Sequence, residues 1–254
     1  MTGQNRVPRR AILLGAGTLA AAGAGAGLAV AATPSASAAA AARLRTDEAQ
    51  PAPGEDLMDE HGLLIRVLLI YRHLAGQFQA HGQFPAAPLH DAALIIHDYI
   101  EGFHEPLEEG YVFPRLRQAG QLTSTVSTLL LQHARGREQT QLILARSAAV
   151  PGEGVARGTA GRALAGAMNT FVRMYEPHEA REDTVIYPAF RRLLPAAEIV
   201  ELGQRFASLQ QEQFGAGGFA TMVDRVAAIE QTLGLYDLTQ FTPPAITPPP
   251  LPSG

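Results

Sequence analysis

The sequence predicts an all-α protein, an antiparallel up-down four-helix bundle with short additional C-terminal helices. Three observations carry this. Apolar residues recur at helical spacing over long stretches, strand-like alternation is missing throughout, and helix breakers separate the stretches with short connections.

The first helix is expected over residues 55–82, where Leu57, Leu64, Leu68, Tyr71 and Ala75 form one apolar stripe. Similar stripes predict helices near 87–118, 122–148 and 160–193, then two shorter ones near 196–213 and 217–233. The breaks are the Gly82–Pro88 stretch, Gly120, and the loop from Val150 through Pro151, Gly152 and Glu153 to Gly154. Pro106 falls inside the second helix and is expected to kink it. Prolines 243, 244, 248, 249, 250 and 252 make the last residues an extended tail. The resulting division is a signal over 1–42, a linker over 43–54, the bundle over 55–193, capping helices over 194–238 and a Pro-rich tail over 239–254.

The N-terminal segment reads as a targeting signal. Arg6, Arg9 and Arg10 precede an uncharged run from Ala11 to Ala32, and Ser35-Ala36-Ser37-Ala38 supplies small residues for cleavage. Arg9-Arg10 followed by Ala11-Ile12-Leu13 resembles the twin-arginine export signal, with Pro8 where Ser or Thr is common. The resemblance implies export to periplasm, cell wall or medium, by a route that carries folded proteins and serves those that acquire a cofactor first. Five glycines make the run a weak membrane anchor, so no membrane association is expected after cleavage.

Composition narrows the chemistry. The chain has no Cys, which removes thiolate catalysis, Cys-ligated clusters and disulfides. All 20 basic residues are Arg, which removes Schiff-base chemistry and P-loop phosphate binding. Residues 43–254 hold 17 basic against 24 acidic groups, a formal net of −7, and a chain so charged without basic clusters is a poor ligand for nucleic acid. Any metal must sit on His and carboxylate.

An internal repeat supplies both. The segment from His104 to Pro114 aligns with that from His178 to Pro188 at an offset of 74, with identical or similar residues at seven of eleven positions. His61 and His133 lie 43 and 45 residues before the two motif histidines. Each half therefore reads as His, then His-Glu-x-x-Glu. On a helix, residues four apart share a face about 6 Å apart along the axis, so His104 with Glu108, and His178 with Glu182, can each reach one centre. Glu105 and Glu179 lie about 100° round from the motif histidines and can join the same arc. Four imidazoles and at least two carboxylates suit first-row transition metals, and the ligand count favours two ions over one.

These motifs resemble the hemerythrin-like family over about residues 55–193, including Asp59-Glu60-His61 and the run from Gln132-His133 to Arg137. The resemblance implies a four-helix bundle with a non-haem centre of two Fe ions, with His61, His104, Glu108, His133, His178 and Glu182 as ligands and Glu105 as an additional candidate. Two departures stand out. Arg137 occupies the position where oxygen carriers place a second His, and Asp183 is available for their His-x-x-x-x-Asp pair, whereas the internal repeat favours Glu182. The expected function is binding or sensing of a small diatomic, O2 or NO. The alternatives are an enzyme reducing O2, peroxide or NO, and an iron-storage or iron-handling protein.

Overall fold

The computed structural model describes residues 52–151 and 154–245. The expected export signal, most of the linker and the end of the Pro-rich tail lie outside them. Helix α1 spans Pro53–His81, strand β1 Gln83–Pro85 and helix α2 Ala86–Ile95. The chain continues helically from α2 through a π-helical run Ile96–His104, one α-turn Glu105–Leu107 and a second π-run Glu108–Val112 into α3, Phe113–Gln118. Helix α4 is Thr123–Ala148, strand β2 Val155–Arg157 and helix α5 Gly158–Arg181. A π-run Glu182–Ile186 then leads into α6, Tyr187–Leu193. Helices α7, Ala196–Phe214, and α8, Gly218–Leu233, complete the described, mostly helical residues, followed by one 3-10 turn.

Local chemistry fixes the ends of α1. Pro53 occupies its first turn, where a missing N–H costs nothing, and the Glu55 carboxylate accepts from the Ala52 N–H at 3.2 Å. Gly82 ends it at φ 70°, a left-handed conformation that a side chain would oppose, and returns its N–H to the Phe78 carbonyl at 2.8 Å. The next residues form a feature that the sequence reading did not anticipate. β1 pairs antiparallel with β2, Phe84 opposite Ala156, and so ties the turn after α1 to the start of α5.

α1 packs along α5, α4 packs against both α2 and α5, and α8 lies across α1 and α2. The interior between them is built from aromatic and aliphatic side chains. Tyr71 meets Phe171 edge-on at 5.5 Å, and Phe171 stacks on Tyr175 at 4.3 Å. Burial of such side chains supplies most of the helical stability, since propensity alone rarely does.

The turn that holds Pro106 carries a π-run on either side, and the second copy of the repeat has one at the place equivalent to Glu108–Val112. In both copies the wide turn lies between the motif glutamate and the aromatic-Pro pair: the Phe113 N–H reaches the Glu108 carbonyl, and the Tyr187 N–H reaches that of Glu182. Pro114 and Pro188 bring no N–H to the carbonyls four residues back and press on them, which favours the wider turn. The consequence is positional. Residues five apart on an α-helix point about 140° apart, but a π-turn brings them back toward one side, so Phe113 and Tyr187 are buried along with Glu108 and Glu182.

Candidate metal centre

Six polar side chains converge in the apolar interior. His61 comes from α1, His104 and Glu108 from the two π-runs after α2, His133 from α4, His178 from α5 and Glu182 from the π-run that follows it. None is more than 3% exposed. They form two groups, His61/His104/Glu108 and His133/His178/Glu182, in each of which the ligand atoms lie within 4.8 Å of one another.

The carboxylates join the two groups. Glu108 Oε2 lies 3.6 Å from His104 Nε2 and 3.4 Å from His133 Nε2. Glu182 Oε2 lies 3.1 Å from His178 Nε2 and 3.4 Å from His61 Nε2. Each glutamate thus faces one histidine of its own half and one of the other. Glu108 Oε2 and both oxygens of Glu182 are buried without a well-formed hydrogen bond. A buried carboxylate oxygen left in that state costs upward of about 1–3 kcal/mol, which a cation at the centre would recover.

Every histidine is oriented by its other nitrogen. His61 Nδ1 meets Asp183 Oδ1 at 2.7 Å and His104 Nδ1 meets Glu60 Oε2 at 2.8 Å. His133 Nδ1 meets Glu109 Oε1 and His178 Nδ1 meets Gln132 Oε1, each at 3.0 Å. An acceptor at Nδ1 places the proton there and leaves the Nε2 lone pair facing inward, the arrangement of metal-bound imidazoles. The acceptors follow the repeat. The residue before each first histidine, Glu60 or Gln132, serves the motif histidine of its own half, and the residue after each motif glutamate, Glu109 or Asp183, serves the first histidine of the other half.

The electrostatics show how strongly the centre attracts positive charge. Burial alone would lower the pKa of His61, yet the carboxylates of Asp183, Glu182 and Glu108 raise it to about 10. His133 is likewise held well above its ordinary value, burial being outweighed by Glu108, Glu109 and Glu105. Glu182 is held below the carboxylate range, since His178 and His61 outweigh its burial. Protons on imidazole meet the demand of the buried carboxylates, and divalent ions would meet it with more charge.

Glu105 sits in a third group, with Glu109 and His133. Tyr175 Oη donates to its Oε1 at 2.8 Å, and Arg137 lies 2.7 Å from its Oε2. Burial pushes its pKa up to about 7 against the opposing pull of His133 and Arg137. Glu179 is 5% exposed, has one oxygen without a hydrogen bond, and is pushed by burial up to about 8.

Several contributors had no signal in the sequence. Tyr187 Oη reaches across and donates to Glu108 Oε1 at 2.8 Å, and the same hydroxyl lies 3.3 Å from His61 Nε2; the aligned Phe113 offers no hydroxyl and packs on His133. Gly136 makes room for Tyr175, whose Oη would lie 2.0 Å from a Cβ placed there. Gln210 of α7 donates to Tyr99 Oη at 2.9 Å, and Tyr99 donates to Glu60 at 3.0 Å. The C-terminal helices therefore touch the support of His104. Following His61 on α1, Leu64 and Leu68 are buried whereas Ile65 is 44% exposed. His97 faces solvent beside Asp98, and Tyr111 packs on Phe206 away from the centre.

Fold and site together define a mostly helical protein with buried His/Glu groups that could hold a metal ion. The chain is 50% identical over 190 residues to uncharacterized proteins of Mycobacterium tuberculosis and Mycobacterium bovis, covering 74% of this chain and 73% of theirs. It belongs to the same family as these proteins. No family model matches the chain. No solved structure matches it.

Proposed function

We propose that this is an exported, hemerythrin-like non-haem di-iron protein that binds or senses O2 or NO, with its helices arranged as an up-down four-helix bundle. The observation that carries the reading is the paired geometry of the centre. Two His/His/Glu groups are linked by Glu108 and Glu182, with every Nε2 turned inward and every Nδ1 engaged from outside. His61, His104 and Glu108 would hold one ion and His133, His178 and Glu182 the other, each glutamate positioned to bridge. Such a pair of irons supplies reversible electron transfer to a diatomic. This chain's residues fix the imidazoles, seal the centre from bulk water and offer Tyr187 Oη as a hydrogen-bond donor beside Glu108. Imidazole and carboxylate ligands without thiolate suit iron, and a nearly sealed apolar surround suits a small uncharged ligand.

The test is anaerobic reduction of iron-loaded protein followed by exposure to O2 and, separately, NO. The reading expects a visible absorption that changes with each gas and returns on its removal. Continuous consumption of reductant and O2 would assign the centre to an enzyme instead, and a spectrum indifferent to both gases would rule out diatomic binding.

A further inference from the structure

Just outside the paired centre, one cationic side chain sits where two carboxylates converge. The same Arg137 nitrogen lies 2.7 Å from Glu105 Oε2 and 2.7 Å from Glu109 Oε1. Glu105 is 1% exposed, and its Oε2 has this ion pair but no well-formed hydrogen bond. Ligand atoms of Glu105, Glu109 and His133 lie within 4.8 Å of one another, which makes the group the third cluster able to hold a cation. Glu109 and Arg137 are 32% and 38% exposed, so the cluster runs from solvent to the buried imidazole of His133. That imidazole turns its other nitrogen into the paired centre.

The other half of the repeat lacks this device. There Glu179 and Asp183 match Glu105 and Glu109, but the position matching Arg137 is Ile65, an apolar residue. The arginine is therefore specific to one side of the centre. Among the described residues its guanidinium is ion-paired with these two carboxylates, and its side chain is 38% exposed, at the solvent side of the cluster.

We propose that Glu105, Glu109 and His133, whose Nδ1 gives up its proton to solvent as the ion binds, form an outer loading position for a divalent transition-metal ion on its way to the paired centre, held between loadings by the Arg137 guanidinium. A guanidinium brings one positive charge to two carboxylates, and a divalent ion brings two. The incoming ion therefore displaces Arg137, and Arg137 returns once the ion has moved inward past His133. This inference rests on the paired centre of the proposed function, and its test keeps the two separable.

The probe is Co(II), added to the full chain under anaerobic conditions, with stoichiometry from equilibrium dialysis and coordination from the visible spectrum. Wild-type protein is expected to take two Co(II) per chain. Arg137→Ala is expected to take a third, weaker equivalent with the faint spectrum of an oxygen-rich site, while Arg137→Lys keeps two. Adding Glu105→Gln to Arg137→Ala should abolish the third equivalent and leave two. Glu105→Gln alone should fill the paired centre on the order of 10-fold more slowly, to an unchanged final stoichiometry, because the inward path has lost a charge. The two inner equivalents serve as the internal check that each variant is folded. A stoichiometry of two in Arg137→Ala, a third ion that survives Glu105→Gln, or wild-type loading speed in Glu105→Gln would overturn the loading position alone. Wild-type protein that takes up no cobalt would remove the paired centre itself, and this inference with it.

Discussion

His61 Nδ1 lies 2.7 Å from Asp183 Oδ1, so the carboxylate that follows Glu182 orients a histidine from the far end of the sequence instead of entering the centre. Glu182, its neighbour, is fully buried and faces His61 and His178 directly. The two adjacent acids thus have separable roles. Glu182→Ala should remove a carboxylate that faces both histidine groups and strip most of the metal from purified protein. Asp183→Ala should retain metal with affinity weakened about 10–100-fold, as expected for loss of an outer acceptor. Metal analysis by mass spectrometry after dialysis compares them, and metal loss in Asp183→Ala with retention in Glu182→Ala would reverse the assignment.

Metal binding should release protons. Asp183, Glu182 and Glu108 outweigh burial and raise His61 to about 10, so its imidazole carries a proton at pH 8 that an incoming ion must displace, and His133 is shifted in the same direction. Binding at pH 8 should release protons, that of His61 among them, and apparent affinity should rise with pH. Calorimetry in buffers of different ionisation enthalpy counts them, and a count near zero would contradict the geometry.

The same shift fixes the pH dependence of stability in metal-stripped protein. A histidine whose pKa is raised on folding contributes stability that is complete below its unfolded value of 6.5 and is lost as pH rises through its folded value of about 10. Denaturant unfolding of chelator-treated protein should therefore show falling stability across that window, and metal-loaded protein should not share the loss. A stripped protein whose stability is flat from pH 6.5 to 10 would show that His61 is not charged in the folded state.

Gly136 offers a steric test of the layer behind the centre. A Cβ there would approach Tyr175 Oη at 2.0 Å and its Cζ at 2.7 Å, so Gly136→Ala must displace the ring that donates to Glu105. The expected loss is about 1–3 kcal/mol, despite the better helix propensity of Ala. Gly166→Ala, also in a helix but with nothing within 4 Å, should gain up to about 1 kcal/mol. Equal effects of the two substitutions on the thermal midpoint would remove the packing argument.

Export can be tested independently of the centre. Arg9→Lys with Arg10→Lys should retain the folded, metal-loaded protein in the cytoplasm without changing its metal content. Normal secretion of that variant would exclude a twin-arginine route.

The long helices were legible because their stripes extend over many turns: 55–82 was expected and Pro53–His81 is observed, 122–148 was expected and Thr123–Ala148 is observed. β1 and β2 were not, since three residues such as Gln83–Pro85 are too short to show alternation and lie among helix breakers. Spacing located His104 with Glu108 and His178 with Glu182, because i and i+4 share a face whatever the surrounding fold. What spacing could not show was any pairing between halves. Asp183 with His61, Glu109 with His133, and Tyr187 with Glu108 each join helices far apart in sequence, and the π-turn that returns Tyr187 to the interior alters the period on which such inference depends. Gly136 could be read only from the ring it accommodates.

The most direct test of the paired centre is the metal content of protein produced with iron available and its export route intact, beside a Glu108→Ala, Glu182→Ala double variant. The wild type should carry about two irons per chain, one for each His/His/Glu group, and the double variant almost none while keeping its helical circular dichroism. Stoichiometric zinc without iron would contradict a redox role, and equal metal content in wild type and double variant would contradict the centre itself.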